Sequence, residues 1–158
     1  MILLTISDTV KKAKLSALFF VLCAILSFAC TFPRIIILDD PLTPEDHVNL
    51  GVTYEKKGEL DNALIEYEKA SKKLPAAYVY MGNVYFQKKE YSRAEACYKK
   101  AIDKEPGNAD AYNNLAWLYY IGRENLDEAK KLSLKAIELN PEKKDIYQDT
   151  LDKIMSIK

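Results

Sequence analysis

Met81-Gly82-Asn83-Val84-Tyr85, continued by Ala94, Tyr98, Ala101 and Pro106, is one of three versions of a single pattern in this chain. Leu50-Gly51-x-x-Tyr54 with Ala63, Tyr67, Ala70 and Pro75 comes before it, and Leu115-Ala116-x-x-Tyr119 with Ala129, Ala136 and Pro141 comes after. Gly51 to Gly82 is 31 residues and Gly82 to Ala116 is 34, while Ala63 to Ala94 is 31 and Ala94 to Ala129 is 35. A period in the thirties that couples small residues to aromatics marks an array of supersecondary units, none of which can bury its apolar face alone. Such an array works through a surface rather than through a catalytic pocket.

Within each unit the apolar positions fall at helical spacing, as in Tyr78, Met81 and Tyr85 on one helix and Ala94, Tyr98 and Ala101 on its partner. Gly51, Gly82 and Ala116 have almost no side chain, so a second helix led by Ala63, Ala94 or Ala129 can approach closely. Against a period of about 34, the first unit has lost three residues, between Leu74 and Tyr78, where Pro75 closes one helix and opens the next. The third has gained one, in the turn Ile121-Gly122-Arg123-Glu124-Asn125. Helix starts are predicted at Thr43-Pro44-Glu45-Asp46, Ser92-Arg93-Ala94-Glu95 and Asn125-Leu126-Asp127-Glu128, each with an oxygen-bearing cap three residues before an acid. Asn108 is read as the cap of the third unit's first helix, and Gly58 and Gly122 as the ends of first helices. After Pro141, a seventh amphipathic helix with Ile146, Leu151, Ile154 and Met155 on one side is predicted to cover the open end of the stack.

These residues resemble the tetratricopeptide repeat family over roughly Thr43 to Pro141. The resemblance implies an all-α, right-handed α-solenoid of three helix pairs plus a C-terminal capping helix. The repeat domain then runs over 43–158, with repeats at 44–74, 75–108 and 109–141 and the cap at 142–157. It further implies a concave inner wall made by the first helix of each unit. One residue beyond the core stripe, that wall would carry Val48, Val52 and Glu55, then Val79, Asn83 and Phe86, then Asn113, Trp117 and Tyr120. Asn83 and Asn113 offer donors and acceptors to an extended peptide backbone, and Phe86, Trp117 and Tyr120 offer apolar contact. The family's clamp of Lys, Arg and Asn around a terminal carboxylate is not matched, because Val48, Val79 and Asn113 stand where cations are needed. Recognition of a free C-terminus is therefore not expected.

The N-terminal part reads differently. Lys11, Lys12 and Lys14 precede an uncharged run from Leu15 to Pro33, the basic and apolar regions of a secretory signal or membrane anchor over residues 1–29. Ser27-Phe28-Ala29 puts small residues three and one before Cys30, which resembles the lipidated cysteine of bacterial lipoproteins. An uncleaved anchor helix and ordinary secretion stand beside that reading. Met1-Ile2-Leu3-Leu4 and Asp8 suit a signal poorly, and Val10-Lys11-Lys12-Ala13-Lys14 is the alternative basic start. A linker over 30–42 joins this segment to the repeats. Its Ile35-Ile36-Ile37-Leu38 is read as a strip packed on the first repeat or against a bilayer, or as a docking strand. The expected setting is the bacterial cell envelope, facing the periplasm.

Composition excludes more than it assigns. The chain balances 23 basic against 23 acidic residues. With residues 1–29 removed, three lysines and one aspartate go, leaving 20 against 22 and no reason to expect nucleic acid as a partner. Of Cys23, Cys30 and Cys97 only the last lies in the repeats, so neither an internal disulfide nor a metal cluster is expected there. His47 is the single histidine and sits on the core stripe of the first helix, and no Gly-rich phosphate loop is present. No enzyme and no cofactor is implied. Lys72-Lys73, Lys99-Lys100 and Lys130-Lys131 recur among acids on second helices, as a solvated outer face does.

Asp39-Asp40-Pro41-Leu42-Thr43-Pro44-Glu45-Asp46-His47, Asn113-Asn114-Leu115-Ala116-Trp117 and Tyr147-Gln148-Asp149-Thr150-Leu151 also resemble the repeat portion of papain-like, bacteriocin-processing-type peptidase lipoproteins, without the peptidase. That likeness implies a repeat subunit working beside an envelope peptidase or export component. The function expected is an envelope-tethered scaffold that takes a peptide or protein segment in its groove; the alternative is a self-associating structural element with no separate ligand.

Overall fold

The computed structural model describes residues 40–157, and Pro41–Lys158 forms one compact unit. The signal or anchor segment, Cys30 and the aliphatic strip of the linker lie outside the described residues. Seven α-helices and no strand are found among the described residues: α1 Pro44–Lys56, α2 Leu60–Ser71, α3 Ala77–Gln87, α4 Tyr91–Lys104, α5 Ala109–Gly122, α6 Leu126–Leu139 and α7 Lys144–Met155, the last preceded by a 3-10 turn at Pro141–Lys143. Consecutive helices pack on one another throughout, and α5 also meets α3 and α7. This is the expected stack of three hairpins and a closing helix.

The alanines of the period hold the stack together. Ala63, Ala70, Ala94, Ala101, Ala116, Ala129 and Ala136 are each fully buried, because a methyl group is the largest side chain that fits where two helices touch. What the small residue of each first helix faces is an aromatic ring rather than the alanine of its partner. A Cβ on Gly51 would lie 2.7 Å from Tyr67 Cδ1, and one on Gly82 would lie 2.6 Å from Tyr98 Cδ1. Both are far inside contact distance, and both rings are buried. In the third repeat both members of the pair change: Ala116 takes the glycine's place and the fully buried Ser133 the tyrosine's. Volume is exchanged across the hairpin, as a close-packed interior requires.

Capping follows the sequence in part. Thr43 forms the full box: its Oγ1 accepts from the Asp46 N–H at 3.1 Å, and Asp46 Oδ2 accepts from the Thr43 N–H at 3.1 Å. Asn108 Oδ1 accepts from the Ala111 N–H at 3.1 Å. Ser92 does not cap, since α4 already begins at Tyr91 behind Glu90. Asn125 holds the cap position of α6 but makes no side-chain cap bond, because its backbone is left-handed with φ 49°. The turns explain the difference. Gly58 has φ 77° as expected, yet the equivalent left-handed positions of the next two hairpins are Lys89 (φ 61°) and Arg123 (φ 54°), so Gly122 remains the last helical residue of α5.

α7 covers the end of the stack with a different stripe from the one predicted. Tyr147, Thr150, Leu151 and Ile154 are buried, whereas Ile146 and Met155 are 61% and 60% exposed. Tyr147 decides the rotation. Its ring packs with Ala109 and Ala136, and its hydroxyl donates to Asp110 Oδ1 at 2.7 Å.

Candidate functional site: the face of the first helices

Polar rungs link the first helices into one face. Gln87 on α3 donates to Glu55 on α1, Asn114 Nδ2 on α5 donates to Asn83 Oδ1 on α3 at 2.9 Å, and Tyr147 on α7 donates to Asp110 on α5. Two tyrosines of the second helices reach the same face from behind: Tyr67 donates to Glu55 Oε2 and Tyr98 to Asn83 Oδ1, each at 2.9 Å. Burial, followed for Tyr67 by the nearby Glu55 carboxylate, holds both phenols well above their ordinary range. They are neutral donors at any physiological pH.

With Tyr98 and Asn114 both directed at Asn83 Oδ1, the Asn83 amide nitrogen keeps its two hydrogens without a partner among the described residues. Asn114 keeps its carbonyl oxygen and one hydrogen free in the same way. These two amides border a hollow of about 230 Å³ between α3 and α5, lined also by Ala76, Val79, Tyr80, Asn108 and Asp110. Tyr80 is held upright by stacking on Tyr67, with ring centroids 5.3 Å apart. Asp110 is fixed by Tyr147 and by Lys143 Nζ at 2.7 Å. A second hollow of about 220 Å³ opens where the start of α4 meets the end of α5, between Tyr91, Ser92, Glu95, Leu118, Tyr119, Ile121 and Glu124. Glu95 there accepts from the Tyr119 hydroxyl at 2.7 Å and pairs with Lys99 at 2.8 Å. The Lys99 and Tyr119 hydrogen bonds hold its carboxyl below the usual carboxylate range.

Of the nine residues expected on the inner wall, Glu55 accepts from Gln87 and Tyr67, and the other eight divide in two. Asn83, Val52, Phe86, Trp117 and Tyr120 are half-buried, and of these Asn83 borders the hollow. Phe86 packs against Tyr91 at 5.6 Å, and Trp117 against Tyr120 at 5.1 Å with Lys153 of α7 over its ring. Val48 and Val79 are buried in the packing of the helices, although Val79 still floors the hollow. Asn113 is only 9% exposed, and its Oδ1 meets no hydrogen-bond partner among the described residues. Asn114, one residue on, is the amide that joins Asn83. The sequence reading missed Tyr80, Asp110 and Asn114. For Tyr80 and Asn114 the signal was repeat register, since they occupy the same position 34 residues apart, as do Asn83 and Trp117; Asp110 stands where the preceding repeat has Ala76, so register did not mark it.

The ionisable core of the first hairpin is structural. His47 Nδ1 lies 2.7 Å from Glu66 Oε2, and Lys69 Nζ lies 2.9 Å from Glu66 Oε1, with His47 only 4% exposed. Burial raises the Glu66 carboxyl, and the Lys69 and His47 hydrogen bonds outweigh that and hold it below its ordinary value. Among the described residues no group of His, Cys, Asp and Glu is arranged to hold a metal ion. Burial raises the Cys97 thiol, which leaves it a poor nucleophile.

Hairpins of this geometry, stacked with small residues between their helices and a polar ladder along one face, define a helical-repeat interaction module. The repeats are tetratricopeptide repeats: residues 82–122 match a family profile described as TPR repeat, and residues 47–72 and 109–143 match one described as tetratricopeptide repeat. The first tetratricopeptide repeat domain of Spaghetti (RPAP3), solved with the HSP90 peptide SRMEEVD, superposes with a TM-score of 0.64 at 24% identity, covering 73% of this chain and 93% of that one. The TPR2B domain of yeast Sti1, described as a complex with pHsp70, gives 0.65 at 20% identity, covering 73% and 98%. At these identities the likeness is one of fold. Human protein O-mannosyl-transferase TMTC2 is 33% identical over 102 residues, which is 60% of this chain and 12% of that protein's length.

Proposed function

We propose that this chain is an interaction scaffold, tethered to a bacterial envelope through its N-terminal segment, that takes an extended protein segment along α1, α3 and α5. The observation that carries the reading is the amide pair Asn83 and Asn114, joined at 2.9 Å and bordering a hollow floored by Val79. Two amides with free donors and one free acceptor are complementary to a peptide backbone, while Val79, Tyr80 and Phe86 give apolar side chains somewhere to go. That one solved neighbour is bound to an HSP90 peptide and the other is described as a complex with pHsp70 supports the same use of this fold. Lipidation of Cys30 would supply the tether and leave the repeats outside the cytoplasm. An envelope peptidase or export component is the kind of partner proposed. No catalytic role is assigned.

The test is photo-crosslinking in native cells, with the reactive group placed at Tyr80 or Asn114 and, as a control, at Lys130 on the outer face. Adducts specific to the first two positions support the groove. Adducts at Lys130 alone, or a product that is only a second copy of this chain, replace it with the self-associating reading. Intact-mass measurement of the membrane fraction tests the tether, since a full-length N-terminus or an unmodified Cys30 removes lipidation.

A further inference from the structure

Resting on the groove reading above, we infer that the segment bound along α5 is cationic, carrying two Lys or Arg side chains about six residues apart, and does not end in an acidic tail. Every ionisable group lining either hollow of α5, tyrosines aside, is a carboxylate: Asp110 in the first, Glu95 and Glu124 in the second. No Lys, Arg or His lines either one. The first hollow borders the start of α5 at Asp110 and Asn114, and the second borders its end at Leu118, Tyr119, Ile121 and Gly122. From Asp110 to Glu124 the chain advances about 20 Å along α5, the span of about six residues of extended chain.

The three carboxylates differ in how available they are. The backbone N–H of Glu124 donates to the Tyr119 carbonyl, while its carboxylate meets no hydrogen-bond or ion-pair partner among the described residues. Asp110 pairs with Lys143, but both side chains are close to half exposed, at 47% and 46%, and a pair so placed is weak and exchangeable. Its other oxygen stays on Tyr147, so the carboxylate keeps its orientation while Lys143 is displaced. Glu95 is held by Lys99 and Tyr119 and contributes field rather than a free oxygen. Aromatic rings stand beside the acids, Tyr80 in the first hollow and Tyr91 and Tyr119 in the second, and ring faces next to carboxylates favour ammonium and guanidinium groups. The acidic end of a peptide such as SRMEEVD meets a field of its own sign here and is repelled.

The experiment uses the full chain and two fluorescein-labelled probes in an anisotropy titration: SRMEEVD with a free C-terminus, and SRMKKVK with a C-terminal amide. The basic probe is expected to bind at least about tenfold more tightly at low salt and to lose that advantage as the screening length shortens. The combined substitution Asp110→Asn and Glu124→Gln, which keeps an acceptor for Tyr147, is expected to remove most of the difference. Equal or tighter binding of SRMEEVD overturns the inference, as does basic binding indifferent to the double substitution or absent altogether. The underlying groove reading fails separately: it falls if Tyr80 and Asn114 crosslinkers trap nothing, and survives if they trap a segment that proves acidic.

Discussion

Gly82 and Tyr98 occupy one another's space: the ring of Tyr98 lies where the side chain of any other residue at position 82 would begin. Gly82→Ala is therefore expected to destabilise the domain by about 1–3 kcal/mol, since the ring is buried against close-packed helices and has nowhere to move. The third repeat shows the alternative solution, Ala116 with Ser133. Gly82→Ala combined with Tyr98→Ser should accordingly cost less than the sum of the two single changes. A double-mutant cycle from urea unfolding measures the coupling, and additivity would mean that the ring and the glycine are not in contention.

Lys89 and Arg123 sit in the left-handed conformation that Gly58 adopts in the first hairpin. A β-carbon there costs roughly 1 kcal/mol, so Lys89→Gly and Arg123→Gly are each expected to raise Tm, the gain reduced by the added freedom of the unfolded chain. Gly58→Ala should lower it. Thermal unfolding followed by circular dichroism decides between this account and one in which turn side chains anchor the hairpins.

The hairpins were legible in the sequence because burial between helices is locked to repeat position: only Gly fits beside the rings at Gly51 and Gly82, nothing larger than Ala fits at Ala63 or Ala94, and a period of small residues survives any change of surface. The turns were not, because nothing about a lysine or an arginine announces a left-handed backbone, and Ser92 and Asn125 consequently looked like caps. The site was half legible. Asn83 follows from its place on the first helix, but neighbouring residues on a helix differ by about 100° in direction, so the choice between Asn113 and Asn114 turns on which amide reaches across to α3. That is a fact of hairpin stacking, absent from either helix alone. Tyr98, at first a core aromatic only, proved also to be the donor that orients Asn83 from behind.

The buried tyrosines make the domain sensitive to alkali. Burial raises the phenols of Tyr67, Tyr98 and Tyr147 above the ordinary value of 10.0, with the carboxylates of Glu55 and Asp110 adding to the effect for Tyr67 and Tyr147. A group whose folded value is raised holds its proton more tightly in the native state. Its contribution is complete below pH about 10 and falls as pH climbs toward the folded value. Urea midpoints are expected to drop steeply above pH about 10, with a shallower slope after Tyr67→Phe, Tyr98→Phe and Tyr147→Phe together. Phenolate absorbance during an alkaline titration should show these three ionising last, at unfolding.

The acid limb has the opposite sign and a different owner. The folded value of the Glu66 carboxyl lies below its ordinary 4.5, burial being outweighed by its bonds to Lys69 and His47. Its stabilising contribution is present above pH about 4.5 and disappears as pH falls through the folded value. Glu66→Gln should flatten stability over that interval. His47→Ala is expected to cost about 1–3 kcal/mol at neutral pH, by leaving a buried carboxylate oxygen without its donor. Because the pair lies in the first hairpin, away from α5, neither change should alter binding of a probe to the hollows beside Asn114 at pH 7. If His47→Ala weakened that binding without lowering Tm, the His47–Glu66 pair would have to take part in recognition directly, and its assignment as framework would be wrong.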